Sequence, residues 1–343
     1  MRVLLIKTSS MGDLIHTLPA LTDAGKAIPG IIFDWVVEES YADLPKWHPL
    51  VDRVIPISLR RWRKQPIART TFHEWRALRA LLAQKQYDLI LDAQGLVKSA
   101  FLTYATKGVR AGLDFQSARE GLASFAYQRK CKVNFYQHAV MRMRLLFSQA
   151  LHYPLSNTLP DFGISQQQFQ TESTQENYLV FLHGTAWATK EWPESYWVQL
   201  ARFAEKAGYR VKVSGYTQEE VARAQRIANQ SAAVHVMPRL NLTEMAALLA
   251  GAKAVISVDT GFGHLAAALN VPTVSMYGPT NPDYTGALGQ RSQLISADFP
   301  CAPCLSRSCQ FDKKHPKQSA VFPACFGSIP PLKVWSVLQQ LVI

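Results

Sequence analysis

Short apolar runs alternate with amphipathic stretches in the first half of the chain. The apolar runs have the length and continuity of buried strands, and the stretches between them carry apolar residues at helical spacing. We predict strands at 3–7, 31–37, 53–58 and 88–91 and helices at 13–27 and 73–86. Alternation of this kind indicates a parallel sheet that is covered by helices on both faces.

The alternation restarts in the second half. There we predict strands at 178–183, 210–214, 254–258 and 273–277 and helices at 192–208, 217–230, 242–250 and 263–269. Between the halves, residues 152–177 are rich in Pro, Ser, Gln, Asn and Thr, which is typical of a linker.

The pattern therefore predicts an α/β chain of two doubly wound, Rossmann-like domains that face a central cleft. We place the first domain at 1–160 and the second at 161–331, and we expect a C-terminal helix at 332–343 to pack back toward the N-terminal domain. A length of 343 residues suits two domains of this size.

Composition narrows the class of protein. With 48% apolar and 18% charged residues, the chain is globular. Lys and Arg number 37 against 25 Asp and Glu, and the formal charge of +12 favours an anionic partner: nucleic acid, a phosphosugar or an acidic membrane surface. A generally basic surface without a dedicated partner is the alternative.

Several common patterns are missing from the sequence. The chain has no run of 18 apolar residues and no signal-peptide pattern at its start, so we expect a cytoplasmic protein. A Gly-x-Gly-x-x-Gly motif after the first strand and a P-loop are both absent, which removes the main support for dinucleotide binding and for P-loop nucleotide binding.

Candidate chemistry lies in the loops that follow the strands, because ligands of open parallel sheets bind beyond the carboxyl ends of the strands. The first strand leads to Gly12 and Asp13 at the start of a helix. A carboxylate there can accept a proton from a sugar hydroxyl. The alternative is a helix-terminal carboxylate that the dipole favours. His16 lies about one helical turn after Asp13. For a His at such a position, a role as a hydrogen-bonding partner is more common than a catalytic role.

A second candidate follows the strand at 254–258. Asp259, Thr260 and Gly261 lead into a helix that contains His264. Free backbone N–H groups at such a helix start form an anion site that suits a pyrophosphate, to which a Thr hydroxyl and a His ring can add donors. Helix capping by Asp259 is the alternative, and it is compatible with a real site.

Further polar residues lie on neighbouring loops. Thr185 and Lys190 follow the strand at 178–183, and a Lys there can reach a diphosphate as a point charge. Glu219 and Glu220 open a helix, where they can cap it or accept hydrogen bonds from a ribose. A solvent-exposed lysine is the alternative for Lys190.

A dense basic run with one aromatic residue occupies positions 60–64. It consists of Arg60, Arg61, Trp62, Arg63 and Lys64. Lys98 and Arg119 can add charge nearby. Guanidinium groups suit carboxylates and phosphates, and the chain has no nucleic-acid-binding motif that we recognise. We therefore favour an acidic sugar acceptor over nucleic acid at this run.

Four of the five cysteines lie close together near the C-terminus, at Cys301, Cys304, Cys309 and Cys325. Four thiols within 25 residues resemble a tetrahedral zinc site, although the second spacing departs from the common pattern. Free thiols are the alternative, and no motif supplies a partner His for cysteine catalysis.

The motifs of this chain resemble those of the type I heptosyltransferases of bacterial lipopolysaccharide synthesis, in glycosyltransferase family 9. The resemblance covers the chain to about residue 285. It rests on the Lys-Thr-Ser-Ser-Met-Gly-Asp run at 7–13 with 16–21 after it, and on 33–39, 60–64, 92–99, 137–140 and 257–261.

The resemblance implies a GT-B fold and an inverting transfer without a metal or other cofactor. It implies ADP-L-glycero-β-D-manno-heptose as donor and the Kdo sugar of Kdo-lipid A as acceptor. Asp13 is implied as the general base. The implied donor contacts are Thr185, Lys190, Glu220, Asp259, Thr260, Gly261 and His264. The implied acceptor contacts are Arg60, Arg61, Arg63, Lys64 and Arg119.

The chain departs from the family pattern in two places. Ala186 stands where the family has a second Thr, and 187–189 differs from the usual charged run. The four-cysteine tail is closer to the type II heptosyltransferases.

The expected partners are ADP-heptose, Kdo-lipid A and the anionic surface at the cytoplasmic face of the inner membrane, where the protein would be peripheral. Nucleic acid is not expected. Alternatives are a type II or other family 9 transferase with a different acceptor, a basic nucleic-acid-binding protein, and a non-catalytic membrane anchor.

Overall fold

A computed structural model describes residues 1–169, 176–315 and 319–342. The chain divides into two compact units, Met1–Gly163 and Ile164–Ile343, which we call unit 1 and unit 2. The predicted boundary at 160 lies close to this division.

Unit 1 contains a six-stranded parallel sheet. Its strands are β1 (Arg2–Ile6), β2 (Ile32–Glu38), β3 (Val51–Ile57), β4 (Gln86–Asp92), β5 (Lys107–Leu113) and β6 (Arg129–Cys131). Their order is β3-β2-β1-β4-β5-β6, the doubly wound arrangement in which the chain changes direction between β1 and β4. Both β1 and β4 are buried along most of their length, as expected for central parallel strands.

The helices of unit 1 are α1 (Met11–Ile15), α2 (Leu18–Ala27), α3 (Asp43–Lys46), α4 (Leu59–Lys64), α5 (Arg69–Ala83), α6 (Val97–Leu102) and α7 (Ala139–Leu151). Short 3₁₀ turns lie at Glu39–Tyr41, Thr103–Ala105 and Gly121–Ala126. Inside the unit, Arg144 of α7 pairs with Asp23 of α2 at 2.6 Å between Nε and Oδ2, and both side chains are buried. This ion pair fixes α7 against α2.

The single helix predicted at 13–27 is two helices in the structure. Pro19 occupies the first turn of α2, where a missing N–H costs nothing. In one continuous helix the same proline would remove a hydrogen bond to Ile15. Thr17, just before α2, donates its hydroxyl to the backbone oxygen of Asp13 at 2.8 Å. Asp13 therefore lies on a helix of little more than one turn.

Unit 2 repeats this topology. Its strands are β7 (Tyr178–Leu182), β8 (Arg210–Val213), β9 (Val234–Val236), β10 (Ala254–Val258), β11 (Thr273–Tyr277) and β12 (Ser292–Ser296). They form a parallel sheet in the order β12-β11-β10-β7-β8-β9. The change of direction lies between β7 and β10, so the loops after these two strands meet at one edge of the sheet.

The helices of unit 2 are α8 (Glu194–Lys206), α9 (Gln218–Ala228), α10 (Leu242–Ala250), α11 (Gly261–Ala268), α12 (Pro282–Thr285), α13 (Gln310–Lys314) and α14 (Pro331–Val342). Short 3₁₀ turns lie at Gln166–Gln168, Ala188–Lys190 and Ala324–Ser328. The core of the unit is built around Trp192 and Trp197, whose rings meet edge to face with centroids 5.0 Å apart.

The C-terminal helix α14 belongs to unit 2. Its buried residues Val334, Trp335 and Leu338 are part of the core of that unit, and Trp335 lies 6.2 Å from Phe203 between ring centroids. The apolar face of the helix is therefore covered by unit 2. Packing of this helix toward the N-terminal domain stays a prediction.

Part of the predicted linker at 152–177 falls on residues 170–175, which lie outside the described residues. Across the ranges that the structure describes, none of the helices has both the length and the apolar character needed to cross a membrane.

Candidate functional site

In unit 1, Asp13 lies just beyond the carboxyl end of the central strand β1. Its Oδ2 accepts hydrogen bonds from the backbone N–H of Ser10 at 2.7 Å and from the Ser10 hydroxyl at 2.9 Å. The predicted helix-terminal role of this carboxylate is therefore real, because Asp13 and Ser10 form a capping box at the start of α1. The cap does not exclude a second role, since Asp13 also lines a pocket.

The pocket around Asp13 has a volume of about 300 Å³ and is rich in cationic side chains. Its lining consists of Lys7, Asp13, His16, Ala93, Gln94, Leu113, Arg119, Phe135, Ala139, Arg142 and Met143. Among the residues predicted as acceptor contacts, Arg119 is part of this lining. His16 lies beside His138, with ring centroids 5.6 Å apart.

Lys7 is a buried cation at the floor of this pocket. Its ammonium group donates to the backbone oxygen of Ala93 at 2.9 Å. Burial lowers the pKa of Lys7, and the negative charges of Asp13 and Asp92 counteract part of that shift. The sequence analysis named Lys7 only as the first residue of the motif at 7–13. Its position directly after strand β1 was the signal that could have identified it as a site residue.

Arg142 is a site residue that the sequence analysis missed. It is carried by α7, and its guanidinium lies over the ring of Phe135 at 4.4 Å from the centroid. Burial lowers the pKa of Arg142, while the charge of Asp13 counteracts this shift. Its Nε is buried without a hydrogen-bond partner in the described parts of the chain. A donor left in this state suits a ligand oxygen.

The basic run at 60–64 forms the short helix α4, and part of its charge is already paired inside unit 1. Arg61 forms an ion pair with Glu74 at 2.8 Å, and the guanidinium of Arg60 donates to the hydroxyl of Tyr41 at 3.1 Å. Arg63 and Lys64 are exposed. A role of these four cations in binding an acceptor stays a prediction.

In unit 2, Asp259 follows the central strand β10 and gathers donors from three segments. Its Oδ2 lies 2.7 Å from the ammonium of Lys190 and accepts the hydroxyl of Thr280, also at 2.7 Å. The ring of His264 approaches Oδ1 at 3.7 Å. Thr185 donates its hydroxyl to the backbone oxygen of Asp259 at 3.1 Å.

The surroundings of Asp259 favour its charged form. Burial alone would raise the pKa of this carboxyl, but the hydrogen bond from His264 and the charge of Lys190 outweigh burial and hold it well below its usual range. The residue that caps α11 is Thr260, so the pure capping role considered for Asp259 is wrong. The carboxylate instead holds Lys190 and His264 beside the N-terminus of α11.

The turn of Thr260 and Gly261 starts α11. At Gly263 the backbone packs closely, because a Cβ atom there would lie 2.4 Å from the hydroxyl of Ser257. The first N–H groups of a helix have no partner within the helix, and the helix dipole adds positive potential at this end. Together with Lys190, the turn is suited to bind a phosphate group.

Glu220 caps helix α9 in the structure. Its Oε2 accepts the backbone N–H groups of Tyr216 at 2.8 Å and Thr217 at 3.1 Å. A Cβ at Gly184 would come within 2.6 Å of its Oε1, so only glycine allows this close approach. Beside it, the rings of Tyr216 and Phe262 stack at 5.3 Å between centroids. The ribose contact implied for Glu220 stays a prediction.

The segment in which the chain departs from the family pattern packs against a later loop of unit 2. The ring of Trp187 contacts two cations, with Lys190 at 4.5 Å and Arg307 at 5.1 Å from its centroid. Thr189 donates its hydroxyl to the backbone oxygen of Ser306 at 2.7 Å. Trp187 thus orients the lysine that reaches Asp259.

The four C-terminal cysteines line one small pocket of about 20 Å³, together with Thr189 and Gly278. All four are free thiols, and burial raises the pKa of Cys325 to about 12. In residues 1–169, 176–315 and 319–342, no three His, Cys, Asp or Glu side chains are arranged to hold a metal ion. The predicted ligands share a pocket, and zinc binding there stays a prediction.

The chain is similar to known proteins both in sequence and in fold. Residues 75–315 match the family model described as glycosyltransferase family 9 (heptosyltransferase). The chain is 50% identical to lipopolysaccharide heptosyltransferase 1 of Pseudomonas aeruginosa over 349 aligned positions, which cover 100% of this chain and 98% of that protein. It is 48% identical to lipopolysaccharide heptosyltransferase 1 of Escherichia coli K12, over 87% of this chain and 94% of that protein.

A solved structure of Escherichia coli heptosyltransferase WaaC with ADP-2-deoxy-2-fluoro heptose has a TM-score of 0.85 to this chain. The two are 42% identical, and the match covers 99% of each chain. The α/β GT-B fold class that the resemblance implied is thereby confirmed, with two parallel six-stranded sheets.

Proposed function

Because this chain belongs to glycosyltransferase family 9, we propose that it transfers L-glycero-D-manno-heptose from ADP-heptose to the Kdo sugar of Kdo-lipid A in lipopolysaccharide inner-core synthesis. The enzymes named lipopolysaccharide heptosyltransferase 1 from Pseudomonas aeruginosa, Escherichia coli and Salmonella typhimurium match it at 45–50% identity, whereas the enzyme of that name from Campylobacter coli matches at 25% and the type 2 enzyme of Escherichia coli at 24%. This difference favours the type 1 acceptor.

Unit 2 binds the donor in this proposal. The diphosphate of ADP-heptose lies at the N-terminus of α11, where Lys190 and His264 are held by Asp259. Thr185, Thr260 and Gly261 contact the phosphates and the heptose, and Glu220 contacts the ribose. The support is the positive and N–H-rich character of the turn, which matches the charge that the departing diphosphate develops.

Unit 1 binds the acceptor, and one observation carries this proposal: Asp13 lines a pocket that it shares with Lys7, Arg119 and Arg142. Kdo is an acidic sugar, and guanidinium groups suit its carboxylate. The unpartnered Nε of Arg142 is one donor for it. Arg60, Arg61, Arg63 and Lys64 extend the same positive character toward further acidic groups of the acceptor.

The reaction is a direct displacement with inversion at the anomeric carbon. Asp13 takes the proton from the attacking Kdo hydroxyl, the new glycosidic bond forms, and the bond from the anomeric carbon to the diphosphate oxygen breaks with its electron pair. ADP leaves with that charge stabilised by the turn at 259–261. The proposal needs no metal or other cofactor.

The acceptor is linked to lipid, so the enzyme works as a peripheral protein at the cytoplasmic face of the inner membrane. The formal charge of +12 supports this location, because anionic lipid surfaces attract basic proteins.

The test is a transfer assay with purified protein, ADP-heptose and Kdo-lipid A, read by mass spectrometry. We expect one heptose added to Kdo-lipid A, and a rate about 10²–10⁴ lower with Asp13→Ala. Asp43→Ala is the matched control, because Asp43 is a carboxylate of unit 1 that pairs with Lys46 at 2.7 Å outside the pocket. Transfer only to an acceptor that already carries heptose would overturn the type 1 proposal. Transfer to neither acceptor would overturn both the type 1 acceptor and the heptosyltransferase function.

A further inference from the structure

We propose that one face of unit 1 docks on an anionic lipid bilayer through exposed aromatic and aliphatic side chains. We call it the aromatic face, and it consists of Phe101, Tyr104, Phe115, Leu122 and Phe125. Each of these side chains is more than half exposed, at 67%, 56%, 57%, 66% and 71%. The inference names the membrane partner of the proposed transferase and rests on that function for its biological setting.

Under this face the small residues are buried and the large apolar residues are exposed, which is the opposite of an ordinary protein core. Helix α6 and the 3₁₀ turn at 121–126 meet through small residues, because Ala100, Ala123 and Ala126 pack there around Tyr127. The larger neighbours of these alanines point outward. Large apolar groups on the outside and alanines on the inside indicate a surface that is covered in use.

Contacts inside unit 1 tie the members of the face together. The rings of Phe115 and Phe125 meet edge to face at 6.3 Å between centroids. Arg110 links the turn at 103–105 to the turn at 121–126. Its guanidinium lies 4.4 Å from the ring centroid of Tyr104, and its Nε–H donates to the backbone oxygen of Ala126 at 2.8 Å. These contacts join Tyr104, Phe115 and Phe125 into one patch, and Phe101 and Leu122 are chain neighbours of the alanines that pack beneath it.

The charge around the patch identifies the occupant. Residues 97–136 contain seven Lys and Arg against two Asp and Glu. Both acidic side chains already accept backbone N–H groups, Asp114 from Ser117 and Glu120 from Val97. Aromatic residues among cations fit the interface of an anionic bilayer. A second copy of the chain fits poorly, because a two-fold contact would bring these cations against each other.

The face also has a fixed relation to the Asp13 pocket within unit 1. The segment 114–126 contributes Arg119 to the pocket lining and Phe115, Leu122 and Phe125 to the aromatic face. The segment that would meet the lipid surface therefore also carries a lining residue of the Asp13 pocket.

Vesicle flotation tests the proposal with the full chain. The probe is a vesicle of phosphatidylcholine with about one-third phosphatidylglycerol, and vesicles of phosphatidylcholine alone are the comparison. The variant combines Phe101→Ser, Leu122→Ser and Phe125→Ser. The matched control combines Leu159→Ser, Phe322→Ser and Leu332→Ser, which are apolar residues of similar exposure on other segments.

We expect the native chain and the control to bind the anionic vesicles and the face variant to bind at least about tenfold more weakly. Lys98→Gln and Lys130→Gln should each weaken binding by about fivefold at low salt. Equal binding by the face variant and the control would overturn the proposal. So would a native chain that does not float, or a native dimer that the face variant converts to a monomer.

Two activity measurements separate this proposal from the proposed function. The face variant should transfer heptose at the native rate to a lipid-free Kdo acceptor and more slowly to Kdo-lipid A in vesicles. If the chain transfers no heptose to either acceptor while flotation follows the expected pattern, the proposed function fails and the docking face stands. If both acceptors are used at native rates by the face variant, the docking face fails alone.

Discussion

Asp13 and Asp259 are both carboxylates that follow a central strand of a doubly wound sheet, but their surroundings differ. Asp259 is buried and holds Lys190 and Thr280 at 2.7 Å each. Asp13 is half-buried and accepts hydrogen bonds from the neutral Ser10, in a pocket of about 300 Å³. The difference teaches which carboxylate organises cations and which one fits the proposed role of base.

The largest expected effect tests the role of Asp13. Asp13→Asn keeps an oxygen for the cap from Ser10 and loses the base, so we expect kcat to fall by about 10²–10⁴. The melting temperature and the KM for the acceptor should change little. Steady-state kinetics and calorimetry check both, with Asp43→Asn as the control. A kcat within about tenfold of the native value would show that Asp13 is not the base.

The second prediction concerns the ion pair of unit 2. Lys190→Met leaves the buried carboxylate of Asp259 without its cation, although Thr280 and His264 remain. We expect a loss of about 3 kcal/mol in the free energy of unfolding and a higher KM for ADP-heptose.

Lys26→Met is the control for that change, because Lys26 pairs with Asp161 at an exposed position of unit 1. Its cost should be about 0–1 kcal/mol. Denaturant unfolding and donor titration measure the two variants. An equal loss in the free energy of unfolding would mean that the pair of Lys190 and Asp259 stabilises the fold no more than a surface pair does.

Acidification should lower the stability of both units. The substitutions of Asp13 and Lys190, in contrast, each affect one unit. Burial lowers the pKa of His48 in unit 1 and of His183 in unit 2 to about 4 each. Between that value and the unfolded value of about 6.5, the unfolded chain binds a proton that the folded histidine refuses. Stability is therefore lost as the pH falls through this window.

We expect each histidine to cost about 2 kcal/mol at about pH 5 relative to about pH 7.5. The depressed pKa of Asp259 keeps its ion pair intact over the same window. Denaturant midpoints at the two pH values measure the loss, and His183→Asn and His48→Asn should each reduce the pH dependence. An unchanged pH dependence in both variants would refute the assignment.

The smallest expected effect is on the cysteines. Burial raises the pKa of Cys325 to about 12 and that of Cys131 to about 11, whereas Cys304 is exposed. Iodoacetamide should therefore modify Cys304 well before Cys325 and Cys131, as peptide mass spectrometry will show. If the four C-terminal thiols bind zinc, added Zn²⁺ will protect Cys304 and leave Cys131 in unit 1 unchanged.

The apolar pattern predicted the central elements of both sheets, because buried parallel strands carry a continuous signal. It missed β5, β6, β9 and β12. Lys107, Gly108 and Arg110 interrupt the apolar run of β5, β6 and β9 have only three residues each, and β12 carries three polar residues among its five. It joined α1 to α2, because helical spacing continues across Thr17 while the proline two residues later starts a new helix.

The candidate site was predictable where a residue follows a strand, and less so where contacts join distant segments. Asp13 follows β1 in unit 1, and Lys190 and Asp259 follow β7 and β10 in unit 2. Within each unit, strand order brings such positions to the carboxyl edge of that unit's sheet. Arg142 enters the Asp13 pocket from α7, more than a hundred residues away in sequence, and no local pattern marks it. In the same way, sequence alone could not show that Glu74 pairs with Arg61.

The break between α1 and α2 has a consequence for how this enzyme can change over evolutionary time. The long helix α2 is fixed to α7 by the buried pair of Asp23 and Arg144, so its position is tied to the stability of unit 1. Asp13 lies on the separate first turn. In the proposed reaction, small substitutions around that turn would re-aim the carboxylate toward a different acceptor hydroxyl while the supporting helices stay in place.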